Sequence, residues 1–135
     1  MPLVVVNSMQ QSQRDPMKTA IAKVSDARIS LKHSLVLCKE LKGKKLGKAM
    51  KFLEDLIAQK VSINGKYYTK AAKNFLDLLK TGEANAIQKG LNPEKLFIKQ
   101  IKADKGLRFY RPRSLWHLRR QRIKAVNLSL ELEER

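Results

Sequence analysis

Cysteine occurs once in this chain, at Cys38, so no internal disulfide and no cysteine-cluster zinc site can form within it. Histidine is present only at His33 and His117, far apart in sequence. Neither belongs to a cluster of Asp, Glu, His or Cys that would complete a metal site or a Cys/His nucleophile pair. Acidic residues are few: 12 Asp and Glu stand against 29 Lys and Arg, a net charge of +17. Such a chain repels itself on compaction unless a polyanion lies close, which makes nucleic acid the leading partner class. No apolar run reaches the roughly 18 residues of a spanning helix, so membrane residence is not expected. "MPLVVVNSM" at the start holds a four-residue apolar run, short of the ~7–15 residues of a signal-peptide core, and a cytosolic chain is the expectation.

What remains is about one domain's worth of sequence, 135 residues, enough to bury a small core. Up to about Val24 the chain is mixed and polar, and "QQSQRDP" follows neither apolar period. Residues 1–23 therefore read as an extended or flexible N-terminal extension, and 24–135 as a single domain. Ser30 precedes "LKHSLVLCKEL", where Leu31, Leu35, Cys38 and Leu41 have helical spacing and Gly43 supplies a stop. In "LGKAMKFLEDLIAQK", Leu46, Ala49, Met50, Leu53, Leu56 and Ile57 form one apolar face. "INGKYY" is a turn, and Thr69 caps a third helix with Ala72, Phe75, Leu79 and Ala86 facing inward; Gly82 weakens it and Gly90 ends it.

The period then changes. "KLFIKQIKA" is rich in β-branched and aromatic residues, and Asn92-Pro93 marks the turn before it. Val126, Leu128, Leu130 and Leu132 alternate with Asn127, Ser129, Glu131 and Glu133, as in a strand with one wet face. The fold class is α+β: three helices packed on a small three-stranded antiparallel sheet, with a long protruding basic β-hairpin over about 104–126. From Lys105 to Lys124 within it, Lys105, Arg108, Arg111, Arg113, Arg119, Arg120, Arg122 and Lys124 occur without a single acid. Arms of about ten residues at ~3.3 Å each would project ~30 Å, with too little apolar content to fold without an external surface. Guanidinium groups fork onto phosphate oxygens and stack on bases, and Phe109, Tyr110 and Trp116 are interleaved with them. Lys42 to Lys45 offers a second cationic contact.

Other motifs fall away. "GKKLGKA" is one residue short between its glycines for a phosphate loop and has Ala49 where a magnesium-binding hydroxyl is needed. Cys38 lies on an apolar helix face as a core thiol, and His33 touches a phosphate or a local network rather than a metal. Glu54-Asp55, with lysines one turn either side, reads as surface charge pairing rather than an acid/base dyad. Nothing points to an enzyme or to a cofactor. A second reading is a basic helix-turn-helix DNA-binding protein, built on the first two helices and the short turn between them. The second helix, however, carries no Arg, Asn, Gln or Ser run at its start to read base edges.

The element order resembles the family of ribosomal large-subunit protein twenty-two, whose eukaryotic members carry the number seventeen. Arg28, Ser30, Lys32 and His33 match an R-x-S-x-K-H pattern, Lys42-Gly43-Lys44 a basic turn, and "LKTGEANAIQKGL" the archaeal and eukaryotic branch. Pro112-Arg113 opens the tip, where Ser114, Trp116 and His117 replace the usual Ala, Gly and second Arg. Asn127-Leu128 stands where the family usually has His-Ile. The resemblance implies a non-catalytic, cytoplasmic constituent of the large subunit that binds ribosomal RNA, with its head near the polypeptide exit and the hairpin along the nascent-chain tunnel. Implied RNA contacts are Arg28, Lys32 and His33, then Lys42, Lys44 and Lys45, and along the hairpin Lys105, Arg108, Tyr110, Arg111, Arg113, Arg119, Arg120, Arg122 and Lys124. Ser114, Leu115, Trp116 and His117 form the tip, facing the nascent polypeptide or, for Trp116 by preference, stacking on a base. Neighbouring ribosomal proteins are implied partners, and no homo-oligomer is expected.

Overall fold

The computed structural model describes residues 18–111 and 121–135. Its centre is β5 (Val126–Glu134), flanked on one side by β1 (Thr19–Ala27) and on the other by β2 (Leu96–Lys105), both antiparallel to it. The strict alternation of β5 puts Val126, Leu128, Leu130 and Leu132 on one face, each at most 1% exposed. Three helices cover that face: α1 (Leu31–Leu41) against β2, α3 (Thr69–Gln88) against β1 and β5, and α2 (Leu46–Ile57) against α3. The α+β arrangement of three helices on a small antiparallel sheet is the one the periodicities predict.

Strand β1 is the element that the sequence reading did not place. Thr19 to Lys23, assigned to the N-terminal extension, pair with Glu133 to Ser129. The inward residues of this strand are Ala20 and Ala22, and alanine is a poor strand former, so pairing with a remote β5 decides the conformation rather than local preference. Its outer edge is covered by α3, with Asn85 Nδ2 donating to the Ile21 carbonyl at 2.9 Å and Lys89 Nζ to that of Thr19 at 3.0 Å. Such caps occupy the unpaired groups through which sheet edges associate.

The small side chains of β1 have a further use. Gly82 of α3 lies over β5, where an added Cβ would come within 2.8 Å of Leu130 Cδ2 and 3.1 Å of Leu132 Cδ1. The glycine read as a weakness in the helix is thus a point where helix and sheet meet with no room for a side chain. In α1 the buried face is Ser34, Leu37, Cys38 and Leu41, while Leu35 is 51% exposed. This corrects the expected stripe at Leu35, while Leu31 packs half-buried against the core as expected. Ser34 can occupy the interior because its hydroxyl donates to the Ser30 carbonyl at 2.8 Å, leaving no polar group unpaired.

Turns follow their sequence signals with one exception. Gly43 (φ 80) ends α1 and Gly90 (φ 78) ends α3, while Asn64 and Gly65, both at positive φ, form the tight turn between Ile63 and Lys66. Thr69 is the first helical residue of α3 and not its cap; the preceding position is Tyr68, in the left-handed region at φ 45. Beyond β2 and before β5 the chain forms a separate ribbon, β3 (Phe109–Tyr110) paired with β4 (Arg122–Ile123), which is the described base of the basic hairpin.

Two pairs of substitutions test this packing by urea unfolding. Gly82→Val should lose about 2 kcal/mol or more through overpacking against Leu130, whereas Gly47→Ala, in α2 with open space around it, should gain up to about 1 kcal/mol. Leu37→Ala should cost about 3 kcal/mol, and Leu35→Lys should stay within about 0.5 kcal/mol of the parent.

Candidate nucleic-acid interface

The start of α1, the start of α3 and the hairpin base meet at one end of the head. There an open groove of about 720 Å³ is lined by Arg28, Ser30 and His33, by Lys70 of α3, and by Arg111, Arg122 and Lys124 of the ribbon. A second groove of about 430 Å³ lies alongside, lined by Lys32 of α1, Lys105 and Arg108 of the outgoing arm, and again Arg122 and Lys124. Together the two grooves present eight Lys and Arg side chains and no carboxylate. Clefts lined by one sign of charge focus the field, and this one attracts a polyanion.

Local structure explains why these cations converge. Arg28 is exposed immediately after β1, beside buried Ile29, which anchors the chain to the core. His33 is held edge-on against Tyr68, with ring centroids 4.7 Å apart, so the residue before α3 positions a side chain of α1. On the ribbon, Arg122 pairs across from Tyr110, and the Arg111 amide donates to the Gln121 carbonyl at 2.9 Å. Phe109 and Tyr110 are 41% and 57% exposed, which leaves aromatic faces among the guanidinium groups.

Of the residues singled out from sequence, Arg28, Lys32, His33, Lys105, Arg108, Arg111, Arg122 and Lys124 come together here, with Tyr110 at the ribbon. Lys42, Lys44 and Lys45 do not. They follow the far end of α1, an 11-residue helix and so about 16 Å long, and Lys44 Nζ sits 4.1 Å above the Phe52 ring. Arg113, Ser114, Leu115, Trp116, His117, Arg119 and Arg120 lie outside the described residues.

Lys70 is the groove residue that sequence reasoning missed. A signal existed: none of the three helices has an acid in its first turn, while Lys32, Lys48 and Lys70 stand near the positive ends of their helix dipoles. Cations there are disfavoured unless an anion joins them.

Other chemistries find little footing. Burial, reinforced by the Asp104 carboxylate, pushes the Cys38 thiol up to about 11, so it stays protonated at neutral pH and is a poor nucleophile. Among the described residues no three metal-binding side chains cluster, and no helix is long and apolar enough to cross a membrane. The turn between α1 and α2 is fastened to β2, with Gly43 N–H donating to the Ile98 carbonyl and Ile98 N–H to that of Lys44. The start of α2 shares a groove with Glu83 and Glu94, carboxylates that a recognition helix would carry towards DNA phosphates.

The profile of the family described as Ribosomal protein L22p/L17e matches residues 22–132. The chain is 37% identical to "Large ribosomal subunit protein uL22" of Methanocaldococcus jannaschii, the match covering 90% of this chain and 92% of that protein. It is 32% identical to the proteins of the same name from a strain of Methanococcus maripaludis and from Methanococcoides burtonii, covering 90% and 91% of this chain and 94% of each relative. With the match spanning nearly the whole described head and the ribbon that leaves it, the chain belongs to the L22p/L17e family of ribosomal proteins.

Proposed function

We propose that the chain is a non-catalytic constituent of the large ribosomal subunit in the cytoplasm, bound to ribosomal RNA through the cationic end of its head. The observation that carries this reading is the pair of grooves at the hairpin base, where eight cations converge without a carboxylate. The names of the archaeal relatives support the choice of subunit. In this reading the phosphate backbone lies in the grooves and unpaired bases stack on Tyr110 and Phe109, each such stack contributing ~1–3 kcal/mol. The hairpin, with Arg113, Arg119 and Arg120 near its tip, follows the wall of the nascent-chain tunnel. Ser114, Leu115, Trp116 and His117 reach furthest, towards the nascent polypeptide or a stacked base. The head stands near the exit beside neighbouring ribosomal proteins.

Sedimentation in high salt tests the assignment: the chain should migrate with large subunits, and a salt-released protein that protects duplex DNA in a sequence-dependent way would favour the helix-turn-helix reading instead. Replacing Arg28, Lys70, Arg111 and Arg122 together with alanine should impair incorporation into subunits. The salt slope of RNA binding should fall by about 0.7–0.9 for each phosphate left without its cation, while the unfolding midpoint of the head stays near that of the parent. An unchanged slope would remove the grooves from the interface.

A further inference from the structure

Between the two sheets the hairpin arms leave one ladder and enter another. The last pair of β2 with β5 is Lys105 with Val126, and pairing resumes at Phe109 with Ile123. At the break, Gly106 N–H donates to the Ala125 carbonyl at 2.8 Å. The next amide, Leu107 N–H, donates instead to Asp26 Oδ1 at 2.9 Å. Asp26 belongs to β1, on the opposite side of β5 from β2. The outgoing arm therefore steps across the returning arm at Ala125 and is caught by a carboxylate from the far strand. The crossing is tight: an added Cβ on Gly106 would lie 2.6 Å from Asp26 Oδ1 and 3.1 Å from the Ala125 carbonyl carbon.

Asp26 is itself held in an unusual place. Pairing of β1 with β5 shifts between Val24 and Ala27, leaving Ser25 and Asp26 opposite Asn127, the two-against-one arrangement of a β-bulge. Asp26 adopts φ 56, and its N–H donates to Asn127 Oδ1 at 2.9 Å. One residue thus bonds both arms, the outgoing one through its carboxylate and the returning one through its backbone. Packing supplies no substitute, since Leu107 is 65% exposed. A carboxylate near the cationic grooves also opposes phosphate binding, so its bond to the Leu107 amide is what it contributes there.

We propose that Asp26 is a positioning residue for the hairpin: by bonding both arms where they leave the sheet, it fixes the direction in which the RNA-binding ribbon projects. The inference rests on the RNA-binding reading, and hydrogen exchange separates the two. Asp26→Gly keeps the left-handed backbone and loses the acceptor. Its Leu107 amide should exchange about tenfold faster or more, while α3 amides such as that of Leu79 keep their rates. Deproteinised large-subunit RNA should bind this variant several-fold more weakly, although loss of an anion would by itself tighten binding. Asp26→Asn retains an acceptor oxygen and tolerates the left-handed region, and should restore both properties. Gly106→Ala, which displaces the carboxylate from the other side, should reproduce Asp26→Gly. Unchanged Leu107 exchange in Asp26→Gly, or RNA binding as tight as that of the parent, overturns the proposal. If Leu107 responds as expected but the parent protein fails to bind the RNA, the latch stands and the RNA reading is what fails.

Discussion

Mutual repulsion among the cations of a chain carrying +17 is the constraint to which the rest of the structure answers. Only two ion pairs form among the described residues, the half-buried Lys99 with Glu131 at 2.6 Å and the more exposed Arg135 with Glu133 at 3.7 Å, too few to offset repulsion among so many cations. Cohesion has to come from apolar contact. The core accordingly consists of aliphatic side chains with Phe75 and the Cys38 thiol, and among the described residues Ser34 is the one buried polar residue beside them. The cations are left on the outside, densest where the head gives way to the ribbon.

That division explains why the cationic end is assembled from so many elements. No single helix could gather eight like charges on one face without losing stability, because like charges at helical spacing repel. Here Arg28 follows a strand, Lys32 and Lys70 begin separate helices, and the remainder come from two arms of a hairpin. Each element carries a small share of the repulsion, and the aliphatic core holds the shares together. A polyanion entering the grooves relieves all of them at once, which ties occupancy of the site to stability of the fold.

Much of the architecture could be read from periodicity. The leucines of β5 and the Leu46, Ala49, Leu53 and Leu56 stripe of α2 are buried as expected, and Gly43, Gly65 and Gly90 take the positive φ that their turns require. The misreadings share a cause: a remote partner outweighed local preference. Ala20 and Ala22 become strand because β5 pairs with them, Leu37 displaces Leu35 because a satisfied Ser34 lets α1 present that side, and Gly82 serves leucines on another element. In the site, the arginine-rich hairpin announced itself, whereas Lys70 gained meaning only from residues brought to it by the fold. Asp26 and Leu107 lie 81 residues apart, and no spacing rule could have joined them.

The central place of β5 also sets an order for folding during synthesis. Both β1 and β2 pair with β5 and not with each other, so no part of the three-stranded ladder can close until Val126–Glu134 has emerged. The helices can form earlier, but the leucine row that covers Gly82 and the inner face of α3 is still missing. Nearly the whole cationic sequence is therefore exposed as an open chain before the head exists. Sheet closure is a late, long-range event, of the kind that is slow because loop entropy must be spent before contacts return it. During that interval the unfinished chain is at its most available to nucleic acid, and a guardian that shields basic segments would have to act before the last strand arrives.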